Sequence, residues 1–530
     1  MKKVYIFMLF SCLLKYSLQR STLADNHYVA AVVEYQVSRD VVQNRQNYID
    51  LIGQAAQQNA DIVVFPELTL TNNSVSFSVP IYGLLKEYPI PALHPEIYDD
   101  LFVSMSAAAR NNQIYVVLNT RELLDCTRND TGEECPELKE YIFNTNVVFD
   151  RNGTVIDRYR KINLFGEASH TPALHPDLGV FTTDFGVTFG HFICFDLMFQ
   201  VPAVQIVQKH RLTDVIFTTM WFSELPYLTA VEIQESYAYS MDINFLASGA
   251  NNPSVGSAGS GIYSGKAGAL VSTMPGKSVT RLLVATVPKI PGQNIGANNP
   301  GPIYDNPTDH DGLVLITDPS LPSHVSRPLV PGQQTFTLVD KDVRCSFIVK
   351  MSNREGNSHY NYRALAFSGV RTFSGIATGG SRVCSVVACT GDTIDTCGKR
   401  FPNYLENATA IFEELSINAI IPTPIRETDL QADDSIFIPL SVNVNIMALK
   451  STDFNYNKVD NGNTTTHSYT LVNKNAELYT FALWGRVFAT DGLDVDPPRN
   501  ETEDTSPDSS VVHLVNSVLL IPTILLLLRR

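Results

Sequence analysis

Between residues 29 and 248 the chain repeats one pattern, a short uninterrupted apolar run followed by a longer segment with apolar residues at helical spacing. Val29 to Val33 and Ile62 to Phe65 are such runs. Between them, Val41 to Asn59 places Val42, Ile49, Ile52 and Ala56 at helical spacing. Tyr98 to Arg110 is again helical, with Leu101, Phe102, Met105 and Ala109 on one side, and Ile114 to Leu118 is again strand. Val187 to Ile193, Val215 to Thr219 and Phe245 to Ser248 are further strands, separated by helices predicted over Val201 to His210 and Leu228 to Met241. A strand without polar alternation is covered on both faces, so the pattern predicts an α/β domain whose sheet lies under helices. The Gly/Ser-rich stretch from Ser254 to Gly268 reads as a loop near the site.

Beyond this region the pattern changes. Residues 286 to 333 are rich in Pro, Gly, Asn and Asp and read as a linker. After it, Thr335 to Val339, Cys345 to Met351, Val383 to Ala388 and Ser441 to Met447 are short β-rich runs with few helices between them. A chain of 530 residues exceeds one ordinary core, and 44% apolar with 18% charged residues is a globular composition. The division expected is a signal peptide (1–24), an α/β domain (25–320), a β-rich domain (321–500) and a C-terminal tail (501–530). With 39 basic against 54 acidic side chains, the net charge of -15 argues against nucleic acid or an anionic membrane surface as the main partner.

Both ends read as targeting segments. Lys2 and Lys3 precede an apolar run, Val4 to Leu14, which is too short to span a bilayer and reads as a signal peptide cleaved before Asp25. At the other end, small residues around Ser506 to Ser510 precede an apolar tail, Val511 to Leu528, as in a GPI-attachment signal. The same tail with Arg529 and Arg530 also reads as a short type I membrane helix. Asn72, Asn129, Asn152, Asn407, Asn463 and Asn500 stand in glycosylation sequons, consistent with export. Of eight cysteines, Cys126 and Cys135 flank a polar loop, while Cys345, Cys384, Cys389 and Cys397 cluster late, where three pairings are open. Cys12 lies in the signal region, which leaves Cys194 over, either inertly buried or free for chemistry.

Three segments place a reactive side chain just after an apolar strand, where ligands bind in open α/β folds. They are FPEL with Glu67, YRKINLFGE with Lys161 and Glu167, and GHFICFDLMF with Cys194 and Phe195. Singly, each has a plainer explanation: a helix-capping carboxylate, a surface ion pair, a small core residue. As an ordered set on one scaffold they resemble the nitrilase superfamily, and its vanin and biotinidase branch in particular. That branch has the lysine in a Tyr-x-Lys-x-Asn-Leu context and the cysteine in Cys-Phe-Asp, as here at Tyr159 to Leu164 and Cys194 to Asp196. The similarity continues through Phe217 to Glu232, Asn244 to Ser248, Gly259 to Tyr263 and, past the linker, Tyr362 to Val370.

The resemblance implies a four-layer α-β-β-α nitrilase sandwich with a C-terminal β-rich domain, a small-molecule amide substrate, and neither metal nor cofactor. It implies Glu67 as base, Lys161 as oxyanion stabiliser, Cys194 as nucleophile and Glu167 as their support. A free thiol with a pKa of about 8.5 needs such help at neutral pH. Trp221 and Asn251 are expected in the substrate pocket. A Cys–His pair using His170, His175 or His191 lacks a recognisable protease context, and His191 is expected to be a strand residue beside the site. Pantetheine is the favoured substrate. Biotinyl amides, acyl transfer in place of hydrolysis, and a non-catalytic surface ectodomain are the alternatives. A monomer, GPI-anchored at the outer cell surface, is expected.

Overall fold

The computed structural model describes residues 20–71, 76–79, 85–127, 135–175, 177–355, 359–426, 428 and 431–499. The apolar runs of the signal and the tail, and the sequons at Asn72, Asn129 and Asn500, lie outside the described residues.

The first half forms two stacked sheets. One contains β1 (His27–Gln36), β2 (Ile62–Val64), β3 (Tyr115–Asp125), β4 (Glu140–Phe149) and β5 (Val155–Arg160) in that spatial order. Helices α1 (Val41–Gln57) and α2 (Asp100–Asn112) follow β1 and β2 along the chain. The other sheet is built from β6 (Gly179–Thr182), β7 (Thr188–Ile193), β8 (Asp214–Thr219), β10 (Asn244–Asn251), β11 (Ser260–Ser264), β12 (Ala269–Thr273) and β14 (Gly301–Ile303). α3 (Gln205–Gln208) precedes β8, and the short β9 (Glu224–Leu225) and α4 (Ala230–Met241) lie between β8 and β10. β13 (Arg281–Pro288) returns to pair antiparallel with β1. The sheets join where Tyr35 and Gln36 pair with Ala250 and Asn251.

The two-residue period of β1 shows why its run is wholly apolar. Tyr28, Ala30 and Val32 pack between the sheets with Ile216, Leu246 and Ile262, while Ala31 and Val33 face Tyr48, Ile52, Phe102 and Met105 on the helical side. On the far side, α4 packs on Phe217 and Phe245 and merges with the core of the second half. The result is the four-layer α-β-β-α sandwich.

The second half begins with β15 (Ile316–Thr317), which pairs with β9. Two five-stranded sheets follow. One is ordered β16 (Val325–Leu329), β19 (Asn361–Phe373), β20 (Ala377–Cys389), β25 (Leu478–Val487), β22 (Ser435–Asn443). The other is ordered β17 (Gly332–Asp340), β18 (Val343–Asn353), β21 (Ala410–Pro422), β24 (Thr464–Leu471), β23 (Phe454–Asp460). Cys345–Cys384 ties β18 to β20 across the two sheets, Cys389–Cys397 closes a short loop, and Cys126–Cys135 closes the loop between β3 and β4. Among the described residues Cys194 is free.

Three expectations are corrected. The helix predicted over Val201 to His210 shrinks to α3, because Pro202 forces the preceding Val201 into an extended conformation (φ -109°, ψ 120°). The predicted loop from Ser254 to Gly268 contains the buried strand β11. The predicted linker of residues 286–333 holds the end of β13 and all of β14, β15 and β16, so it is woven into the sheets.

The two halves are locked by buried charge. Arg371, at the end of β19, is 1% exposed and donates to Glu224 of β9; its other terminal nitrogen lies 3.3 Å from Asp318. Removing the cation of such a cluster leaves two buried carboxylates facing each other, a defect worth about 3–5 kcal/mol. Arg371→Met should therefore lower the unfolding free energy from denaturant titration by that amount, whereas a change below about 1 kcal/mol would mean that the cluster does not hold the halves together.

Candidate active site

The three strand-end segments converge. The chain leaves β2 through Phe65 and Pro66, and Leu68 adopts a left-handed φ of 49°, which leaves Glu67 only 2% exposed. Lys161 follows β5 directly, and its N–H donates to the Asn144 carbonyl of β4 (2.8 Å). Its Nζ lies 2.8 Å from Glu67 Oε1 and 2.5 Å from Glu167 Oε1. Asn144 Nδ2 donates to both carboxylates, at 2.7 and 3.3 Å. Glu167 is fixed in turn by the Phe165 N–H.

Cys194 joins this group through the backbone of a single residue. The Met220 N–H donates to Glu67 Oε2 (2.8 Å), and the Cys194 thiol faces the Met220 carbonyl at 3.6 Å. Cys194 takes a left-handed φ of 49° where β7 turns into the short helical turn Cys194–Met198. A non-glycine residue there carries strain on the order of 1–3 kcal/mol and needs its surroundings to hold it. Asp196 supplies much of that support. Its Oδ2 accepts from the Ile193 N–H (3.1 Å) and the Tyr159 hydroxyl (2.6 Å), and its Oδ1 accepts from the Asn163 N–H (2.8 Å) and Nδ2 (2.9 Å). The lysine motif is thus tied to the cysteine turn, which explains Tyr159 and Asn163 in the one and Asp196 in the other.

Electrostatics separates the roles. Burial pushes the Cys194 thiol far up, Glu67 pushes it further, and Lys161 only partly opposes them, so the resting sulfur is protonated. Burial would lower the Lys161 pKa, but Glu67, Cys194 and Glu167 outweigh it and keep the ammonium charged. Burial raises Glu167, yet the adjacent Lys161 charge and bond bring it below the usual carboxylate range. Burial lifts Asp196 to about 6 against its bonds to Tyr159 and Asn163.

A narrow cavity opens beside Cys194. Phe165, Phe195, Trp221, Phe222 and Phe373 bring aromatic rings to its wall, and Phe373 and Ser374 come from the β19–β20 hairpin of the second half. Trp221, expected in the pocket, lines this cavity, as does Phe195. Asn251 does not: its amide donates to Glu34 Oε1 (2.8 Å) and its oxygen accepts from the Val279 N–H (2.9 Å). His191 is buried in β7 against Asp157 (2.9 Å) and Asn146 (3.4 Å), and His170 lies beside Ser169 Oγ (3.3 Å). No Cys–His pair forms through either. Sequence reasoning missed Asn119, Asn144 and Asn146, a row of buried amides on β3 and β4. Their link to the site is that Asn119 accepts from the Leu68 N–H and donates to Asn144 (both 2.8 Å). Asparagines in a strand carry no motif, so only the fold reveals them.

The model of the carbon-nitrogen hydrolase family matches residues 29–244, and that of the vanin C-terminal domain matches residues 315–491. Vanin-like protein 1 of Drosophila melanogaster is 34% identical over 444 residues, 76% of this chain and 76% of its own. Human biotinidase is 31% identical over 449 residues, 74% of this chain and 80% of its own. Human pantetheinase is 31% identical over 388 residues, covering 70% and 72%.

The site geometry predicts how the thiol titrates. Because Glu67 raises the Cys194 pKa and Lys161 lowers it, Glu67→Gln should bring the onset of thiolate ultraviolet absorbance to lower pH. The wild-type site should show none below about pH 9, above the ordinary cysteine range. An onset that is unchanged or moved upward would contradict the arrangement.

Proposed function

The chain belongs to the carbon-nitrogen hydrolase family, in the branch with a vanin C-terminal domain, and for this amidohydrolase we propose Cys194 as the nucleophile, Glu67 as the acid–base and Lys161 as the oxyanion stabiliser. The observation that carries the assignment is the backbone of Met220, which holds Glu67 on its N–H and faces the Cys194 thiol with its carbonyl, while Lys161 grips the other oxygen of Glu67.

In the reaction, Glu67 takes the thiol proton as Sγ forms a bond to the amide carbon. The tetrahedral oxyanion is met by Lys161 and the Phe195 N–H at the start of the helical turn. As the C–N bond breaks, Glu67 returns the proton to the departing amine. Glu67 then takes a proton from water, whose oxygen attacks the thioester, and passes it back to the sulfur as the acid leaves. Glu167, held ionised against Lys161, keeps the lysine charged and aimed throughout.

Pantetheine, cleaved to pantothenate and cysteamine, is the proposed substrate. The contexts of Lys161 and Cys194 favour it, and the cavity wall beside the thiol is mostly aromatic with Glu224 and Ser374 as polar exceptions, as a mixed apolar and hydroxyl-bearing acyl group would need. Incubated with pantetheine, the wild-type protein should release cysteamine. Cys194→Ala should release none, and Lys161→Ala should be slower by about two to three orders of magnitude. Cysteamine release by Cys194→Ala at the wild-type rate would refute the assignment. Biotin release from a biotinyl amide in place of cysteamine would move the substrate to the biotinidase side of the branch.

We place the chain outside the cell, tethered by a GPI anchor. Three disulfides and exposed sequon asparagines at Asn152, Asn407 and Asn463 support export. No helix among the described residues is long and apolar enough to cross a membrane. The N-terminal cut is placed upstream of Arg20 instead of before Asp25. Arg20 donates to the Ala60 and Asn112 carbonyls (2.5 Å each), and the Ser21 N–H donates to Asp61 (3.0 Å). A phosphatidylinositol-specific phospholipase should release the protein from cells, whereas retention would indicate a membrane-spanning tail.

A further inference from the structure

The catalytic scheme leaves one buried ionisable group in the cavity wall unused. Glu224 is 3% exposed, lines the cavity that contains Cys194, and comes from β9 at the seam between the two halves. Its Oε1 accepts from Arg371, while Oε2 accepts no hydrogen bond from the described residues. Most of the rest of the wall is aromatic, and the indole N–H of Trp221 is already committed to the Leu228 carbonyl (2.8 Å). Apart from the reacting thiol, the polar side chains facing the cavity are Glu224 and, on the hairpin, Ser374.

The charge around Glu224 does not balance internally. Arg371 faces two carboxylates, Glu224 and Asp318, both buried. Asp318 is further bound by the Ser320 N–H (2.8 Å), and the neighbouring His324 is held neutral by burial, which brings it to about 4. Arg486, on the other side of Phe373, is matched by its own Asp491 (2.6 Å). Arg371 therefore offsets only one of the two carboxylates. Burial raises the Glu224 carboxyl to about 7 against the pull of Arg371, so its oxygen not bound to Arg371 is the edge where a donor or a proton is still needed. A buried acceptor in that position is satisfied by a donor from the ligand or by a proton.

We propose that Glu224 is the specificity determinant of the cavity, accepting a hydrogen bond from a hydroxyl or other donor on the substrate's acyl group and excluding acyl groups that end in a carboxylate. The acyl group is assigned to this cavity because it stays attached to Cys194 through the thioester while the amine departs. This inference rests on the amidohydrolase reading and narrows its substrate class to neutral, donor-bearing acyl groups on an otherwise apolar frame. Arg371, reaching in from the second half, is the positioning residue that orients the carboxylate.

The test separates binding from turnover. Affinities of pantetheine, hexanoyl-cysteamine and its ω-carboxy analogue are measured by calorimetry on Cys194→Ala, alone and combined with Glu224→Leu or Glu224→Gln. Glu224→Leu leaves Arg371 with Asp318 as a balanced pair, so the fold is retained, which thermal unfolding checks. The expected result is that the preference for pantetheine over the hexanoyl amide falls about 10- to 100-fold in Glu224→Leu, the worth of a hydrogen bond to a charged group. Glu224→Gln, which keeps an acceptor oxygen but no charge, should admit the ω-carboxy amide. A pantetheine preference unchanged by Glu224→Leu overturns the proposal, as does continued exclusion of the ω-carboxy amide by Glu224→Gln. Should Glu224→Leu not fold, the Glu224→Gln arm decides. If the preference behaves as expected but intact Cys194 protein releases no cysteamine, the pocket assignment stands and the hydrolase reading fails. Cysteamine release with an unmoved preference gives the reverse.

Discussion

A buried ammonium organises the site. Lys161 is 1% exposed, and an unpaired charge at that depth costs several kcal/mol, so it persists only with close anionic partners. Two carboxylates meet it, Glu67 from the end of β2 and Glu167 from the loop after β5. Those carboxylates need donors of their own. Asn144 serves both, its backbone carbonyl also takes the Lys161 N–H, and Asn119 then fixes Asn144 and the peptide after Glu67. Four strands of one sheet, β2 to β5, are thereby tied together, and the backbone of Met220 carries the constraint across to Cys194 on the other sheet. A sandwich of two sheets suits this arrangement because each sheet can present its strand ends to the same crevice.

What the sequence disclosed about this arrangement follows from what each signal records. Strand-end position and residue type made Glu67, Lys161 and Cys194 visible, since an apolar run followed by a charged or reactive side chain is a local pattern. The α/β class was equally visible, because β1 and β8 are covered on both faces. The amides of β3 and β4 were not, as their partners lie on other strands and their side chains pair by register. Asn251 was misplaced for a related reason. β10 continues past its apolar run, and the polar residues at its end point into a buried bond with Glu34, whose carboxyl is raised to about 7 by burial.

The stretch predicted as a loop shows how small residues mislead. A Cβ on Gly249 would come within 2.3 Å of the Gly259 carbonyl oxygen, and one on Gly259 within 2.7 Å of the Ala230 methyl. Glycine is required there because β10, the turn into β11 and α4 approach too closely for side chains. Low hydrophobicity in that segment therefore records tight packing, where composition alone suggested exposure.

The second half of the chain is part of the site as well as an appendage to it. Phe373 lies 5.5 Å from Phe195, the residue after the nucleophile, and is flanked by the guanidiniums of Arg371 and Arg486 at 4.8 and 5.1 Å. Arg486 also donates to the Met198 carbonyl (2.9 Å), closing the helical turn that begins with Cys194. The strained φ of Cys194 is thus supported from one side by Asp196 and from the other by β25. This support also bears on the thiol's survival beside three disulfides. Oxidation and disulfide exchange act on the thiolate, and burial with an adjacent carboxylate keeps Cys194 protonated until a substrate displaces that balance. The same aromatic wall that shapes the cavity limits access to the sulfur, so reactivity is withheld by the packing that also positions it.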